Sequence, residues 1–371
     1  MKRIICIILT LLMLCGCAQN QQTAETQPDV ETTVSPESVD PHALRLTQES
    51  NVRKATYEGK TAYEAFLAQA EKLFLIPGLK QVLTPQGIAL CPVTGRTYIS
   101  AYCVDNVPSV IIITEADTNE LVATYHLYNA DGTPMTSHVG GIAVTETHLY
   151  VSDKMDSDGS YQIAAIPLSE LPASGSHDIT VTQTISMAMS PSMMNYSGGY
   201  LWVGNFYHPN ADYVLSPNMD YTTQAADGSE YGCYILGFDM SQGHDRLLTE
   251  DAYPMPDVIL AAPNRIQGIT LTDNGKVVLS QSYGRANDST LLIYQLNPGE
   301  APDLGLTLNG QVIPAYLLDD NRLTDSINSI PMSEGLTTTS DGRVLVLYES
   351  GAIRYEDGKH RTSYVWALTV E

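Results

Sequence analysis

Five stretches of the chain place a polar side chain one or two residues ahead of a glycine and apolar residues, and in the third of them the glycine has been replaced. They are Gln86-Gly87-Ile88-Ala89-Leu90, His138-Val139-Gly140-Gly141-Ile142, Ser192-Met193-Met194, Gln267-Gly268-Ile269-Thr270-Leu271 with Arg265 two positions earlier, and Glu334-Gly335-Leu336. After each comes a short polar turn and a run of aliphatic and aromatic residues, and these runs end near further polar groups. Those groups are Asp153 with Lys154, Asn205 with Tyr207 and His208, Tyr283 with Arg285, and Glu349. In an antiparallel hairpin the start of the first strand and the end of the second lie at the same end, so the two sets converge. The candidates for catalysis are Glu334 as an acid or ligand and His138 as a base beside it. Gln86, Asp153, Asn205, Arg265, Gln267, Tyr283, Arg285 and Glu349 are candidates for binding. For a single residue the plainer reading is that a polar group at a strand end satisfies nearby backbone.

Motifs that would name a reaction are missing from the sequence. No Gly-x-Ser-x-Gly elbow, phosphate-binding Gly-x-x-x-x-Gly-Lys loop or His-Glu-x-x-His helix occurs. The eight His are scattered, so a structural zinc site is not expected. Asp156-Ser157-Asp158-Gly159-Ser160 superficially resembles a calcium loop, but its glycine stands fourth and no Glu follows at the twelfth place. A tight acidic hairpin turn accounts for it better. Glu334 and Glu349 with Asp153 offer carboxylates for glycoside cleavage, where the separation of two carboxyls decides the mechanism.

The elements that must carry these residues are strands. The repeat recurs at roughly 50 to 75 residue spacing without a helical pattern between copies, as blades of a β-propeller require. Val110 to Thr114 and Leu121 to Leu127 complete the first blade, and Gln162 to Leu168 with Ile179 to Ile185 the second. Tyr234 to Phe238 and Leu291 to Leu296 are third strands of the next two. Val312 to Leu318 is expected to close the fourth, and Tyr364 to Val370 is the third strand of the last. Leu79 to Leu83 is expected to complete that last blade from the other end of the chain. The fold expected is therefore all-β, a propeller of five blades over residues 79–371, or six if Phe206 to Tyr231 hides one. Ahead of it, Tyr63, Phe66, Leu67, Ala70, Leu73 and Phe74 stand at helical spacing, so residues 52–78 read as a linker and an amphipathic helix.

At the N-terminus, Lys2 and Arg3 precede an apolar run from Ile4 to Leu14 and then Leu14-Cys15-Gly16-Cys17. This resembles a bacterial lipoprotein signal. The resemblance implies cleavage of residues 1–16, lipid (palmitate) on Cys17, and a lipid-anchored extracytoplasmic protein. Residues 17–51, rich in Gln, Thr, Glu, Pro and Ser, then read as a solvated tether. About eleven apolar residues are too few to span a hydrocarbon core of roughly 30 Å. Of the remaining cysteines, Cys91, Cys103 and Cys233 read as buried free thiols.

The chain of 371 residues carries 19 Lys+Arg against 42 Asp+Glu, a formal net charge of -23. Such a balance leaves nothing to neutralise a phosphate backbone, so nucleic acid is not an expected partner. Its 22 Tyr against 4 Phe and 2 Trp suit rings that are half-buried with the hydroxyl in water, as on exported proteins that bind something.

The Gly-Ile starts, Glu334-Gly335-Leu336 and the turns Thr272-Asp273-Asn274-Gly275 and Thr339-Ser340-Asp341-Gly342 resemble the secreted bacterial propellers of NHL, regucalcin-like and strictosidine-synthase-like type. The resemblance covers about Gln81 to Glu371 and implies a ligand site on the central axis. In regucalcin-like relatives that site holds a divalent cation, which implies Ca2+ on Glu334 with Asn205 or Asp153. Two functions follow as expectations. One is a surface propeller that binds a small molecule, glycan or envelope protein at its mouth; the other is a metal-dependent hydrolase or lactonase-like enzyme using Glu334 and His138.

Overall fold

The computed structural model describes residues 46–103, 107–153, 160–211, 213–297 and 299–370. The lipoprotein signal, Cys17, most of the tether, Lys154 and most of the acidic hairpin Asp156 to Ser160 lie outside the described residues.

Five antiparallel blades form the molecule. From the innermost strand outwards, the first blade is Thr84–Leu90, Thr97–Tyr102, Val110–Thr114 and Leu121–Tyr128. The second is Ile142–Val144, His148–Ser152, Tyr161–Pro167 and Gln183–Met187. Met193–Ser197, Tyr200–Gly204, Cys233–Asp239 and Val258–Ala262 make the third; Ile266–Leu271, Lys276–Gln281, Ser289–Gln295 and Leu323–Ser329 make the fourth. The fifth combines Ser333–Thr338, Val344–Tyr348 and Tyr364–Leu368 with Ala70–Leu75 from the other end of the chain. The segment from Phe206 to Tyr231 is an excursion of the third blade bearing the small pair Thr223–Gln224 and Glu230–Tyr231, so it holds no sixth blade.

Four expected elements are corrected. The helix is short, Glu64–Gln69 after a 3-10 turn at Thr61–Tyr63, and the rest of its apolar pattern is the closing strand. Helical period there loses to sheet pairing, because Tyr364–Leu368 would otherwise present an open edge. Leu79 and Leu83, expected in that strand, are fully buried in the core between the first and fifth blades without pairing. Gly175–Thr180 joins the first blade in parallel with Leu121–Tyr128, and only Gln183–Met187 closes the second. Gln311–Leu317 pairs in parallel with Val258–Ala262 of the third blade, while Leu323–Ser329 closes the fourth. The parallel pairing uses only Ala315 to Leu317, so Pro314, which lacks an N–H, falls outside that ladder.

The core lies between neighbouring blades. Phe66, wholly buried, packs at 5.2 Å from Trp366 and 6.4 Å from Tyr348, which fastens the short helix to the last blade. At the axis the innermost strands meet backbone to backbone, and this explains the repeated glycine. A methyl on Gly268 would stand 2.5 Å from the Glu334 carbonyl oxygen, and one on Gly335 would stand 2.8 Å from the Gly87 Cα. Cys91, Cys103 and Cys233 are buried and unbridged, as expected; burial pushes the Cys103 thiol up to about 12.

Candidate functional site

The innermost strands of three blades share a defect. Register shifts by one residue between Pro85 and Gly87, between Ile266 and Gly268, and between Ser333 and Leu336. Each is a β-bulge, which leaves one residue outside the ladder and re-aims its side chain. The residues released are Gln86, Gln267 and Glu334, the polar starts of the sequence repeat. Blades two and three place Gly140 and Ser192 before the glycine or its equivalent, so the polar groups gather on one side of the mouth, at blades one, four and five.

Glu334 is buried and its carboxyl hydrogen-bonds that of Glu349, which stands where the second strand of the same blade ends. Gln86 donates to Glu349 Oε2 at 2.9 Å, and Gln267 reaches Glu334 Oε1 at 3.5 Å. Tyr355, on the 3-10 turn Ile353–Tyr355, hydrogen-bonds Glu349 and also Tyr102, at the end of the first blade's second strand. Arg354 Nη1 donates to the Tyr102 hydroxyl. A continuous polar chain thus runs across the mouth from blade four through blade five to blade one.

Its electrostatics follow from burial. Loss of water raises the Glu334 carboxyl well above the usual carboxylate range, and the neighbouring Glu349 charge raises it further. Glu349 is pushed up to about 7 by burial, against the lowering effect of its bonds with Tyr355 and Gln86 and of the Arg354 and Arg285 charges. Both shifts favour a proton held on the pair. Tyr355 is flanked by both guanidiniums, Arg285 at 4.9 Å and Arg354 at 5.3 Å from its ring centre, and Arg285 is itself tied to Asp357 at 3.0 Å. His138 stacks obliquely on Tyr102 at 4.1 Å. Its ring reaches solvent at the mouth but is otherwise hemmed in by protein; burial, then the Arg354 charge, lowers it to about 4, so it is neutral at pH 7.

The remaining expected residues are placed as follows. Asn205 is buried and spent on backbone: its amide donates to the Gly232 carbonyl at 3.1 Å and accepts from the Tyr234 N–H at 2.7 Å. Asp153 is half-buried, its N–H donating to the Gln162 carbonyl at 3.0 Å. Arg265 and Tyr283 stand on the rim between blades three and four, beside His208 and Phe206. Tyr102, Arg354 and Tyr355 were missed by sequence reasoning. Tyr102 is the last residue of its strand rather than the first of the loop, and Arg354-Tyr355 follow Glu349 on a turn that the repeat does not mark.

As a chemical device the cluster is a proton-sharing acid pair ringed by amides, a phenol and a neutral imidazole. The pair is in hydrogen-bond contact, closer than the roughly 5 to 9.5 Å that glycoside cleavage uses. Glu334 and Glu349 therefore do not stand apart as a pair flanking a glycosidic bond. Among the described residues no three His, Cys, Asp or Glu gather to hold a metal ion. Two surface depressions, of about 290 and 340 Å³, lie on outer strands away from the mouth, around Lys276 with Asp325 and around Arg322 with Asp303.

No protein-family model and no curated protein matches the chain. Among solved structures it is similar to a GH43_1 enzyme from Xanthomonas citri, at 10% identity and TM-score 0.42 over 84% of this chain and 93% of that one. It is similar to XC5397 from Xanthomonas campestris, a gluconolactonase, at 13% identity and TM-score 0.34 over 83% and 93%. Kuenenia stuttgartiensis hydrazine synthase follows at 12% identity and TM-score 0.34, where the match covers 72% of this chain and only 56% of that one.

Proposed function

We propose that this protein is an extracytoplasmic β-propeller, tethered through lipid on Cys17, that binds a polar small molecule, glycan or envelope protein at its mouth. The observation that carries the reading is the buried Glu334–Glu349 pair, reached by Gln86, Gln267 and Tyr355 from three blades. Two carboxyls buried against each other oppose folding, and such desolvated groups in a concave polar site mark places where a ligand is recognised. Hydroxyl groups or a divalent cation replacing the shared proton would satisfy both.

The second reading is an extracytoplasmic hydrolase or lactonase-like enzyme. It is favoured by Glu349, an acid poised near 7, with the neutral His138 at the same mouth. Ca2+ would take the carboxyl oxygens of Glu334 and Glu349, while the Gln86 and Gln267 amides turn their N–H groups to those carboxyls and Asn205, committed to backbone, does not supply the further ligand that the sequence suggested.

Thermal melting of the full chain in detergent, with calcium, with chelator and with a panel of glycans, tests the two together. A shift with a glycan or calcium that disappears in Glu334→Gln supports a binding mouth. A calcium shift joined by chelator-sensitive turnover of lactones favours the enzyme. Unchanged melting throughout, with no capture of envelope proteins by cross-linking that Glu334→Gln abolishes, overturns both.

A further inference from the structure

We propose that Arg265, His208 and Tyr283, on the rim between blades three and four, form a subsite for an anionic sugar ring. The inference rests on the mouth being a binding site and names the class of ligand. Arg265 holds a left-handed backbone at φ 70°, a conformation that glycine adopts without strain. Met332, at the equivalent place in the fifth blade, has φ 66° and buries its side chain in the core. Arg265 gains no such contact: its side chain is exposed, and among the described residues it makes no hydrogen bond or ion pair. Its neighbours at the mouth differ, since Arg285 pairs with Asp357 and Arg354 bonds Tyr102. In a chain of net charge -23, this leaves an uncommitted guanidinium at the rim of a binding mouth.

Beside it stands a wall of rings. Tyr283, 38% exposed, lies 4.3 Å from His208 and 6.3 Å from Phe206, and Phe206 packs at 4.7 Å against Tyr213. The Arg265 N–H donates to the Tyr207 carbonyl, and its own carbonyl accepts from the Ser282 N–H, so the backbone segments that carry Arg265, His208 and Tyr283 adjoin. Arg265 is felt at His208, whose ring is lowered from the ordinary histidine value by burial first and by that charge second. Two residues on, Gln267 reaches Glu334. A flat ligand with a C–H face for Tyr283, an anionic substituent for Arg265 and hydroxyls for Gln267 and the acid pair matches this order of groups.

Calorimetric titration of the full chain with glucuronate, glucose 6-phosphate and glucose tests the proposal. Binding of either anionic sugar at least tenfold tighter than glucose is expected, and which of the two binds separates a carboxylate from a phosphate source. Arg265→Gln should abolish that preference and Arg265→Lys restore part of it; Tyr283→Ala should lose binding that Tyr283→Phe keeps. Equal affinity for glucose, or no binding of any of the three, overturns the subsite. So does anionic-sugar binding that is lost in Glu334→Gln but unchanged in Arg265→Gln, and in that case the mouth remains a binding site.

Discussion

The two faces of the propeller use similar polar residues differently. On the face opposite the mouth, Thr145, Thr272 and Thr339 sit at the turns between first and second strands. Each hydroxyl accepts from the N–H of the residue that ends its turn, at 3.1, 3.1 and 3.0 Å, and donates back to that residue's carbonyl. These groups are consumed by the backbone that they shape. At the mouth, bulges turn Gln86, Gln267 and Glu334 away from their own ladders, and they meet side chains of other strands. One face spends its polar groups on local geometry; the other gathers them into a site. The contrast extends to titration, because burial raises the acid pair at the mouth while the opposite face holds a stacked histidine pair, His148 and His244, with ring centres 3.9 Å apart.

Substitutions at glycine test the contrast most strongly. Gly268→Ala, at the mouth end of the axis, drives a methyl into the Glu334 carbonyl and should cost about 3 kcal/mol by urea unfolding. Retention of full stability would mean that the innermost strands are not packed backbone to backbone.

The acid pair gives the next largest effect. Because the folded carboxyls hold their proton to higher pH than unfolded ones, stability should fall as pH rises from about 5 to 7, by up to about 1.4 kcal/mol per pH unit. Glu349→Gln should flatten that fall, and parallel wild-type and variant curves would break the assignment of a shared proton.

A milder loss belongs to the opposite face. Gly342, at φ 84°, has open space around it, so Gly342→Ala meets only backbone strain and should cost about 1 kcal/mol in the same unfolding assay. A cost equal to that of Gly268→Ala would erase the distinction between axis and turn.

The smallest effect has the opposite sign in pH. Burial lowers both His148 and His244, so their contribution is present above the ordinary histidine value of 6.5 and is lost as pH falls below it. His244 also bonds the Tyr150 hydroxyl at 2.9 Å and Gln183 at 3.1 Å, tying the turn Met240–Leu247 to the second blade. Relative to His244→Gln, the wild type should lose a few tenths of a kcal/mol between pH 7 and 5, read from the difference in melting temperature. A difference that does not change with pH would leave the stack purely structural.

Much of the candidate site was legible because the repeat marks strand starts. Gln86, Gln267 and Glu334 were found by position alone, and Glu349 by the end of its strand. Asn205 was found by the same rule and turned out to serve backbone, since sequence position does not say whether an amide faces a ligand or the peptide next to it. Tyr102, Arg354 and Tyr355 escaped because they reach the acid pair only through the approach of blades one and five, which are far apart in sequence. The separation of Glu334 and Glu349, which decides between sharing a proton and flanking a bond, is likewise a tertiary distance.

By itself the sequence determined the five innermost hairpins, because apolar runs around short polar turns, with a glycine at four of the five starts, act within one strand pair. Its three cysteines outside the signal, Cys91, Cys103 and Cys233, left room for one disulfide, and the structure holds all three as buried free thiols. Tertiary structure decided which outer strand joins which blade: Gly175–Thr180 and Gln311–Leu317 pair in parallel with a neighbouring blade, and Ala70–Leu75 abandons its helical pattern to cover the last open edge. Such choices depend on which edge is free when the ring closes, and no local pattern of apolar residues encodes that. The shared proton at the mouth was decided in the same way, by burial that exists only once five blades surround it.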